Sequence, residues 1–291
     1  MRVGLVLEGG AMRGMYTCGV IDVLMENGIV FDGVIGVSAG AVFGCNYKSK
    51  QVGRAIRYNK RFCGDKRYMS IRNLLTTGDL YGREFCYKTI PEKLDLFDTE
   101  TFEKNKLDFY VVATDVKNGE PIYYKCHKGD AYDIKWMRAS ASMPFVSQVV
   151  KIDNYELLDG GLTDSIPFEW FIKQGYARNI VVKTQVANYR KKHHKMLWLV
   201  RLFFLRRPII AKLLIKRYKL YNEQLRKLRE LEQNGDVLVI EPSEYISIKR
   251  LERNADKLQQ MYDLGRRDAI AKMGVIRQFL SDIDRENVQG N

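Results

Sequence analysis

Gly33-Val34-Ile35-Gly36-Val37-Ser38-Ala39-Gly40-Ala41-Val42 decides how this chain folds. Val34–Val37 reads as a buried strand, and the residues from Ala39 onward read as a helix. The Gly-x-Ser-x-Gly at the join needs a sharp turn, which lifts Ser38 out of the sheet edge, with Gly36 and Gly40 allowing close backbone approach. Upstream, the apolar run Val3–Leu7 ends in Glu8-Gly9-Gly10-Ala11-Met12-Arg13-Gly14. A helical pattern then runs through Val20, Ile21, Val23 and Leu24 to Gly28, a natural helix terminator. Ile29–Phe31 adds strand-like residues before the Asp32-Gly33 break. Strand, helix, strand, helix in short order predicts a right-handed βαβ layout and a largely parallel sheet.

Further along, residues 49–105 read as helices and loops, with Pro91 as a break. Phe109–Thr114 is a buried-strand run, Asn118-Gly119 a turn, and Ile122–Tyr124 a return strand. A helix is expected over Ala131–Ser142, stopped near Pro144. Val149–Ile152 and Tyr155–Leu158 form a hairpin around Asp153-Asn154 that delivers Asp159-Gly160-Gly161. Ile180–Thr184 and Val237–Ile240 supply two more core strands, separated by a basic segment.

The 291 residues are 46% hydrophobic and 29% charged, which suits one sizeable α/β unit. No run is long and apolar enough to span a bilayer. The N-terminus lacks the pattern of a signal peptide, so a cytoplasmic protein is expected. Cys18, Cys45, Cys63, Cys86 and Cys126 are widely spaced with no CxxC pair, so reduced thiols are expected and neither zinc nor disulfides. The net charge of +13 is uneven: residues 190–229 hold 14 Lys/Arg against Glu223 alone, and residues 48–72 hold nine against Asp65. Such local basicity marks a surface that meets something anionic.

Activation of Ser38 is the central chemical question. The chain has three histidines. His193 and His194 lie among lysines, and His127 follows a strand without an evident orienting partner, so a Ser-His-Asp triad has little support. A carboxylate is intrinsically a weak base, yet it can take a proton from a hydroxyl it hydrogen-bonds directly in a partly desolvated site. Asp159 is the best candidate, although Asp159-Gly160 also fits a plain hairpin turn. The loop Gly9–Gly14 offers backbone amides to an anion. It fits either a dinucleotide fingerprint, with Asp32 as the distal acid, or an oxyanion hole. With a nucleophile elbow one βαβ unit later, the oxyanion role is the more economical.

Gly-Gly-x-x-Arg-Gly after the first strand, Gly-x-Ser-x-Gly after the next and Asp-Gly-Gly far downstream together resemble the patatin-like phospholipase family. Ala113-Thr114-Asp115, Ala139–Pro144 and Asp164-Ser165-Ile166-Pro167 extend the resemblance over roughly residues 1–185. Glu241-Pro242 and Tyr262-Asp263-Leu264-Gly265 resemble the tail of a bacterial branch. The resemblance implies a three-layer α/β/α fold with a mostly parallel central sheet, here carrying a basic helical C-terminal insertion. It also implies a Ser–Asp dyad: Ser38 as nucleophile, Asp159 as general base, the amides of Gly10 and Ala11 with Gly9 as oxyanion hole, and Arg13 holding that loop in shape. No metal or organic cofactor is implied. One departure is Ala11, where the family has a third glycine; a need for φ > 0 there would distort the hole and slow turnover.

A single domain over 1–291 is expected, with core motifs in 1–185, a basic amphipathic helical insertion at 190–233 and a final strand and helices over 236–285. Within the insertion, Met196–Leu205 has nine apolar residues in ten, and a helical pattern follows through Ile210, Leu214, Tyr218, Tyr221, Leu225 and Leu228. Two readings stay open: a helix lying in an anionic membrane interface through 190–229, at the inner face of the membrane, or a helical cap packed on the domain. Residues 48–72 would add to the same basic surface if they fold nearby. Nucleic acid is not expected, for no recognised module is present. The implied activity is hydrolysis of fatty-acyl esters of phospholipids or lysophospholipids. The alternatives are a membrane-associated regulatory protein with an idle site, an acyl-thioester hydrolase and, lower, a dinucleotide-binding module. Oligomeric state is not readable from the sequence.

Overall fold

Strands and helices alternate as the apolar runs predict in the computed structural model, which describes residues 1–192 and 197–289. In chain order they are β1 (Val3–Leu7), α1 (Met15–Glu26), β2 (Gly33–Val37), α2 (Ala39–Lys48), α3 (Arg54–Phe62), α4 (Ile71–Thr77) and α5 (Thr99–Lys104). Then come β3 (Asp108–Asp115), β4 (Glu120–Cys126), α6 (Ala131–Ser140), β5 (Val150–Ile152), β6 (Tyr155–Asp159), α7 (Phe168–Lys173) and β7 (Arg178–Val182). The basic insertion supplies α8 (Leu197–Phe203) and α9 (Pro208–Gln233), before β8 (Val237–Ile240) and α10 (Ala255–Gln289).

The sheet runs β5-β6-β3-β2-β1-β7-β8, with β4 also paired to β3. β3, β2, β1, β7 and β8 are mutually parallel; β4, β6 and β5 join as antiparallel neighbours. Alternate residues of β1 point to opposite faces. Leu5 and Leu7 pack into the core shared with α1, α2 and α10, while Val6 packs into the one shared with α7 and α9. Helices therefore cover both faces, giving three layers, and the doubly buried strands read as unbroken apolar runs. The tail motif has a packing reason. A Cβ on Gly265 would strike the carbonyl of Tyr16, so α10 crosses α1 at backbone contact distance.

Two expectations change in detail. Ile29–Phe31 forms no strand. Gly28 adopts φ +66 and Ile29 N bonds back to Leu24 O, so these residues are still leaving the end of α1. Pro91 does not break its helix but lies inside a π-helical segment, Phe85–Leu94, whose widened turn leaves room for a ring without an N–H. All five cysteines are free thiols.

The insertion divides between its two readings. On α9, Ile210, Leu214, Tyr221, Leu225 and Leu228 are buried against the domain, whereas Tyr218 is only half-buried. On α8 only Val200 is buried; Trp198 and Phe203 are each 65% exposed. The 48–72 stretch spends part of its charge internally. Lys48 Nζ donates to Leu107 O at 2.5 Å, and Arg57 pairs with Asp95 at 2.8 Å. Among the described residues no helix is long and apolar enough to cross a membrane.

Candidate active site

Ser38 occupies the turn between β2 and α2 with φ 55 and ψ −118. A non-glycine residue at positive φ costs of order 1–3 kcal/mol and persists only where its surroundings over-determine it. Here they do. A Cβ on Gly36 would collide with Gly40 O, and one on Gly40 with Leu7 O, so strand, turn and helix meet at backbone contact on either side of the serine. The Ser38 amide donates to Ser140 Oγ at 2.9 Å, and that hydroxyl donates to Val112 O at 2.6 Å.

Asp159 closes β6, and β3 sets its place. Val37 pairs with Val112, and Asp159 pairs with the next residue, Ala113. Since β4 holds the other edge of β3 over the same residues, β6 takes up the edge that β2 leaves at Ser38. Asp159 N donates to Ser142 O at 2.8 Å, and Asp159 O accepts from Thr114 Oγ1 at 3.0 Å. Its carboxylate accepts from Gly161 N at 2.7 Å. The backbone is thus held on three sides, and the chain turns into a short 3-10 segment, Gly160–Leu162, rather than a hairpin. Ser38 Oγ and the Asp159 carboxylate border one cleft without a direct hydrogen bond between them.

The glycine-rich loop lies against the same place. Ala11 adopts φ 51, the left-handed conformation that a glycine would take without cost, and opens a 3-10 turn, Ala11–Gly14. The loop's own backbone hydrogen bonds start further on: Met12 N donates to Arg250 O at 3.3 Å and Arg13 N to Gly10 O at 3.2 Å. Glu8, buried at the end of β1, accepts from Thr184 N at 2.6 Å and from Tyr221 OH at 2.5 Å, tying β1 to β7 and α9. Arg13 makes no side-chain hydrogen bond to the loop it was expected to brace; its Nε is buried without a partner.

Two clefts meet at Ser38. One, about 900 Å³, is walled by Met12, Val42, Phe43, Tyr58, Ile90, Met137 and other apolar or aromatic side chains. The second, about 520 Å³, is polar and contains Asp159, Arg13, Lys191, Arg217 and Arg250. Ala11, Ser38 and Met143 belong to both. Burial, reinforced by the neighbouring Arg217, Arg250 and Arg13, pushes the Lys191 ammonium down to about 7. Burial also lowers Arg217 and Arg13, opposed by the charges of Asp159 and Glu8 respectively.

The histidines lie elsewhere. His127 is exposed beyond β4 and borders neither cleft. His193 and His194 fall outside the described residues. Asp32 accepts from Val3 N at 2.6 Å, so its carboxylate serves the start of β1 rather than a ribose.

A family model described as patatin-like phospholipase matches residues 5–172. The chain belongs to this family. A second model, a domain of unknown function (DUF6363), matches residues 207–281. Among curated relatives, YjjU of Escherichia coli, an uncharacterized protein, is 30% identical over 63% of this chain and 52% of its own length. Lysophospholipase nte1 of Aspergillus oryzae is 30% identical over 56% of this chain, and neuropathy target esterase sws of Drosophila melanogaster 28% over 64%. The match spans about half of the E. coli relative, 10% of the Aspergillus one and 14% of the Drosophila one. Among solved structures, VipD from Legionella pneumophila aligns over 93% of this chain and 67% of its own, with 13% identity and a TM-score of 0.43.

In this patatin-like chain, Ala139–Pro144 carries part of the resemblance, but the sequence assigns neither Ser140 nor Ser142 a task. Nor does it mark Thr184, Lys191, Arg217 or Arg250 as site residues. Ser140 and Ser142 carried a signal in that segment; the three cations carried none that set them apart from the other lysines and arginines around them.

Proposed function

We propose that this chain hydrolyses fatty-acyl esters of phospholipids or lysophospholipids at a membrane surface. The observation that carries the reading is the position of Ser38 at the seam between an apolar cleft suited to an acyl chain and a polar cleft that holds Asp159. Ser38 Oγ attacks the ester carbonyl carbon while Asp159 takes its proton. The amides of Gly10 and Ala11, with Gly9, receive the charged oxygen. The carbonyl–alcohol bond then breaks, and Asp159 returns the proton to the leaving alcohol. Water attacks the acyl-Ser38, again giving a proton to Asp159; the fatty acid leaves and Ser38 regains its hydrogen.

Membrane approach draws on α8. Its exposed Trp198 and Phe203 follow the basic stretch, and Phe203 and Phe204 each lie 4.9 Å, ring to ring, from Phe145. Phe145 is two residues from Met143, which borders both clefts. An exposed apolar helix beside the site, flanked by lysines and arginines, suits an anionic lipid interface.

A second reading, a membrane-associated regulatory protein with slow turnover, draws on the left-handed Ala11. A fluorophosphonate probe together with a panel of phospholipid, lysophospholipid, monoacylglycerol and acyl-thioester substrates separates the two. The hydrolase reading expects labelling of the wild type but not of Ser38→Ala, and losses of roughly a thousandfold or more in kcat for Ser38→Ala and Asp159→Asn. Unchanged hydrolysis in either variant sinks the dyad.

A further inference from the structure

The polar cleft holds more positive charge than the hydrolytic steps use. Arg13, Lys191, Arg217 and Arg250 converge on it from four separate segments: the glycine-rich loop, the stretch after β7, α9, and the connection between β8 and α10. Among the described residues none of these four side chains makes a hydrogen bond or an ion pair with another residue. Lys191 alone has a side-chain partner, standing 4.2 Å over the Tyr221 ring. The Nε atoms of Arg13 and Arg217 are buried with no partner at all. The two carboxylates of the cleft are already engaged, Glu8 by Thr184 and Tyr221 and Asp159 by the Gly161 amide.

Arg13, Lys191 and Arg217 are partly withdrawn from water while Arg250 is exposed, and the charges of Glu8 and Asp159 offset only part of theirs. Buried charges in folded proteins are normally paired. A fold that gathers these four cations against two carboxylates beside Ser38 is complementary to a further anion. The geometry selects the anion's place. Ser38 borders this cleft on one side and the apolar cleft on the other, so an acyl ester held for attack has its chain on one side and its head group among the cations. Arginine forks match the tetrahedral oxygens of a phosphate, and a lysine adds a point charge. A wider cleft of about 1050 Å³ shares Tyr189, Lys191, Arg217 and Arg250 and adds Arg190 and Lys192, so the charge continues outward as a funnel.

We propose that Arg13, Lys191, Arg217 and Arg250 form a phosphate-binding site that seats the head-group phosphate of the acyl lipid attacked at Ser38. The proposal rests on the acyl-hydrolase reading for the source of the phosphate, but not for the site itself. It makes the enzyme selective for phosphate-bearing esters over neutral ones of equal chain length. The low-lying Lys191 is a mark of the same crowding, and a bound phosphate would return its proton.

The test compares a lysophospholipid with a monoacylglycerol of the same acyl chain, using wild type, Lys191→Met, Arg250→Gln and Arg217→Met, with Arg217→Lys as the conservative control. Circular dichroism checks the fold of each. The expected result is a fall of tenfold or more in the ratio of the two kcat/KM values in the three charge-removing variants, with partial recovery in Arg217→Lys. A ratio unchanged in the folded variants overturns the proposal, because lost packing alone would slow both substrates together. Inorganic phosphate is the second arm: competition against the lysophospholipid supports the head-group assignment, whereas equal effects on both substrates overturn it. If wild type hydrolyses neither ester, the acyl-hydrolase reading falls and the site is judged on binding. Calorimetry with glycerol 3-phosphate should then show binding to Ser38→Ala that is lost in Ser38→Ala/Arg250→Gln. No binding to Ser38→Ala at millimolar concentration overturns the site as well.

Discussion

Ser140 holds the amide of Ser38: its Oγ accepts that N–H at 2.9 Å and passes its own hydrogen to Val112 O at 2.6 Å. The strained turn is thereby fastened to β3, the strand that also registers Asp159 opposite Ala113. Ser140→Ala leaves a buried N–H and a buried carbonyl without this bridge. The expected cost is about 1–3 kcal/mol in urea unfolding, with a fall in kcat larger than any change in KM. An unfolding midpoint and kcat equal to wild type would show that the elbow does not depend on this residue.

Ala11 at φ 51 carries a penalty of roughly 1–2 kcal/mol that glycine would avoid, partly offset by the extra freedom glycine gains in the unfolded chain. Ala11→Gly is expected to leave stability level or raise it by up to about 1 kcal/mol, and not to reduce turnover. Ala11→Val should destabilise, because a β-branched residue tolerates positive φ least. Thermal unfolding of both variants checks this, and the order Val above Gly would contradict the assigned backbone.

Asp22 gives the chain a pH-dependent stability term. Burial raises its carboxyl to about 6, despite the hydrogen bonds from Tyr262 OH at 2.7 Å and Gly53 N at 3.0 Å. An unfolded aspartate releases its proton near pH 3.9, so between roughly pH 4 and 6 the folded chain binds more protons than the unfolded one. This contribution is therefore complete at low pH and is lost as pH rises through about 6. Asp22→Asn keeps an acceptor for both donors without the charge. Relative to wild type it should gain on the order of 1–3 kcal/mol at pH 7 and much less at pH 4.5, read from urea denaturation at the two values. A difference that does not change with pH would remove Asp22 from this role.

Trp198 and Phe203 on the exposed face of α8 should partition into anionic vesicles. Replacing both by alanine is expected to lower co-sedimentation with phosphatidylcholine–phosphatidylserine vesicles about tenfold or more, since each large side chain buried from water contributes about 1.5–3 kcal/mol. Wild-type binding should also weaken as salt is raised from 0.1 to 1 M, which screens the basic stretch. Undiminished binding by the double variant would point away from α8.

Much of the fold was legible because its signals are local. The turn at Ser38 needs Gly36 and Gly40 beside it, the strand–helix alternation sets a parallel sheet, and Asp153-Asn154 closes the hairpin that ends at Asp159. Each of these depends on residues adjacent in the chain, where turn chemistry and periodicity act. Ile29–Phe31 misled because an apolar run does not reveal that its residues are still leaving a helix end. The sequence by itself determined the α/β architecture, the place of Ser38 at a strand-to-helix turn, the count of only three histidines and the alanine in the glycine-rich loop.

Tertiary structure decided the rest. It brought Asp159 onto the strand edge that β2 vacates, a matter of register across β3 rather than of spacing along the chain. It showed that Ala11 takes positive φ, which no composition rule reports. It also divided the basic insertion, folding α9 onto the domain while leaving Trp198 and Phe203 of α8 outside. Among the described Lys/Arg of residues 190–229, packing selects Lys191 and Arg217 to face the cleft with Arg250 and Arg13. The physical reason is that a charge acts through distance and burial. Both are set by which helix face turns inward, and neither is written in the spacing of lysines and arginines along the chain.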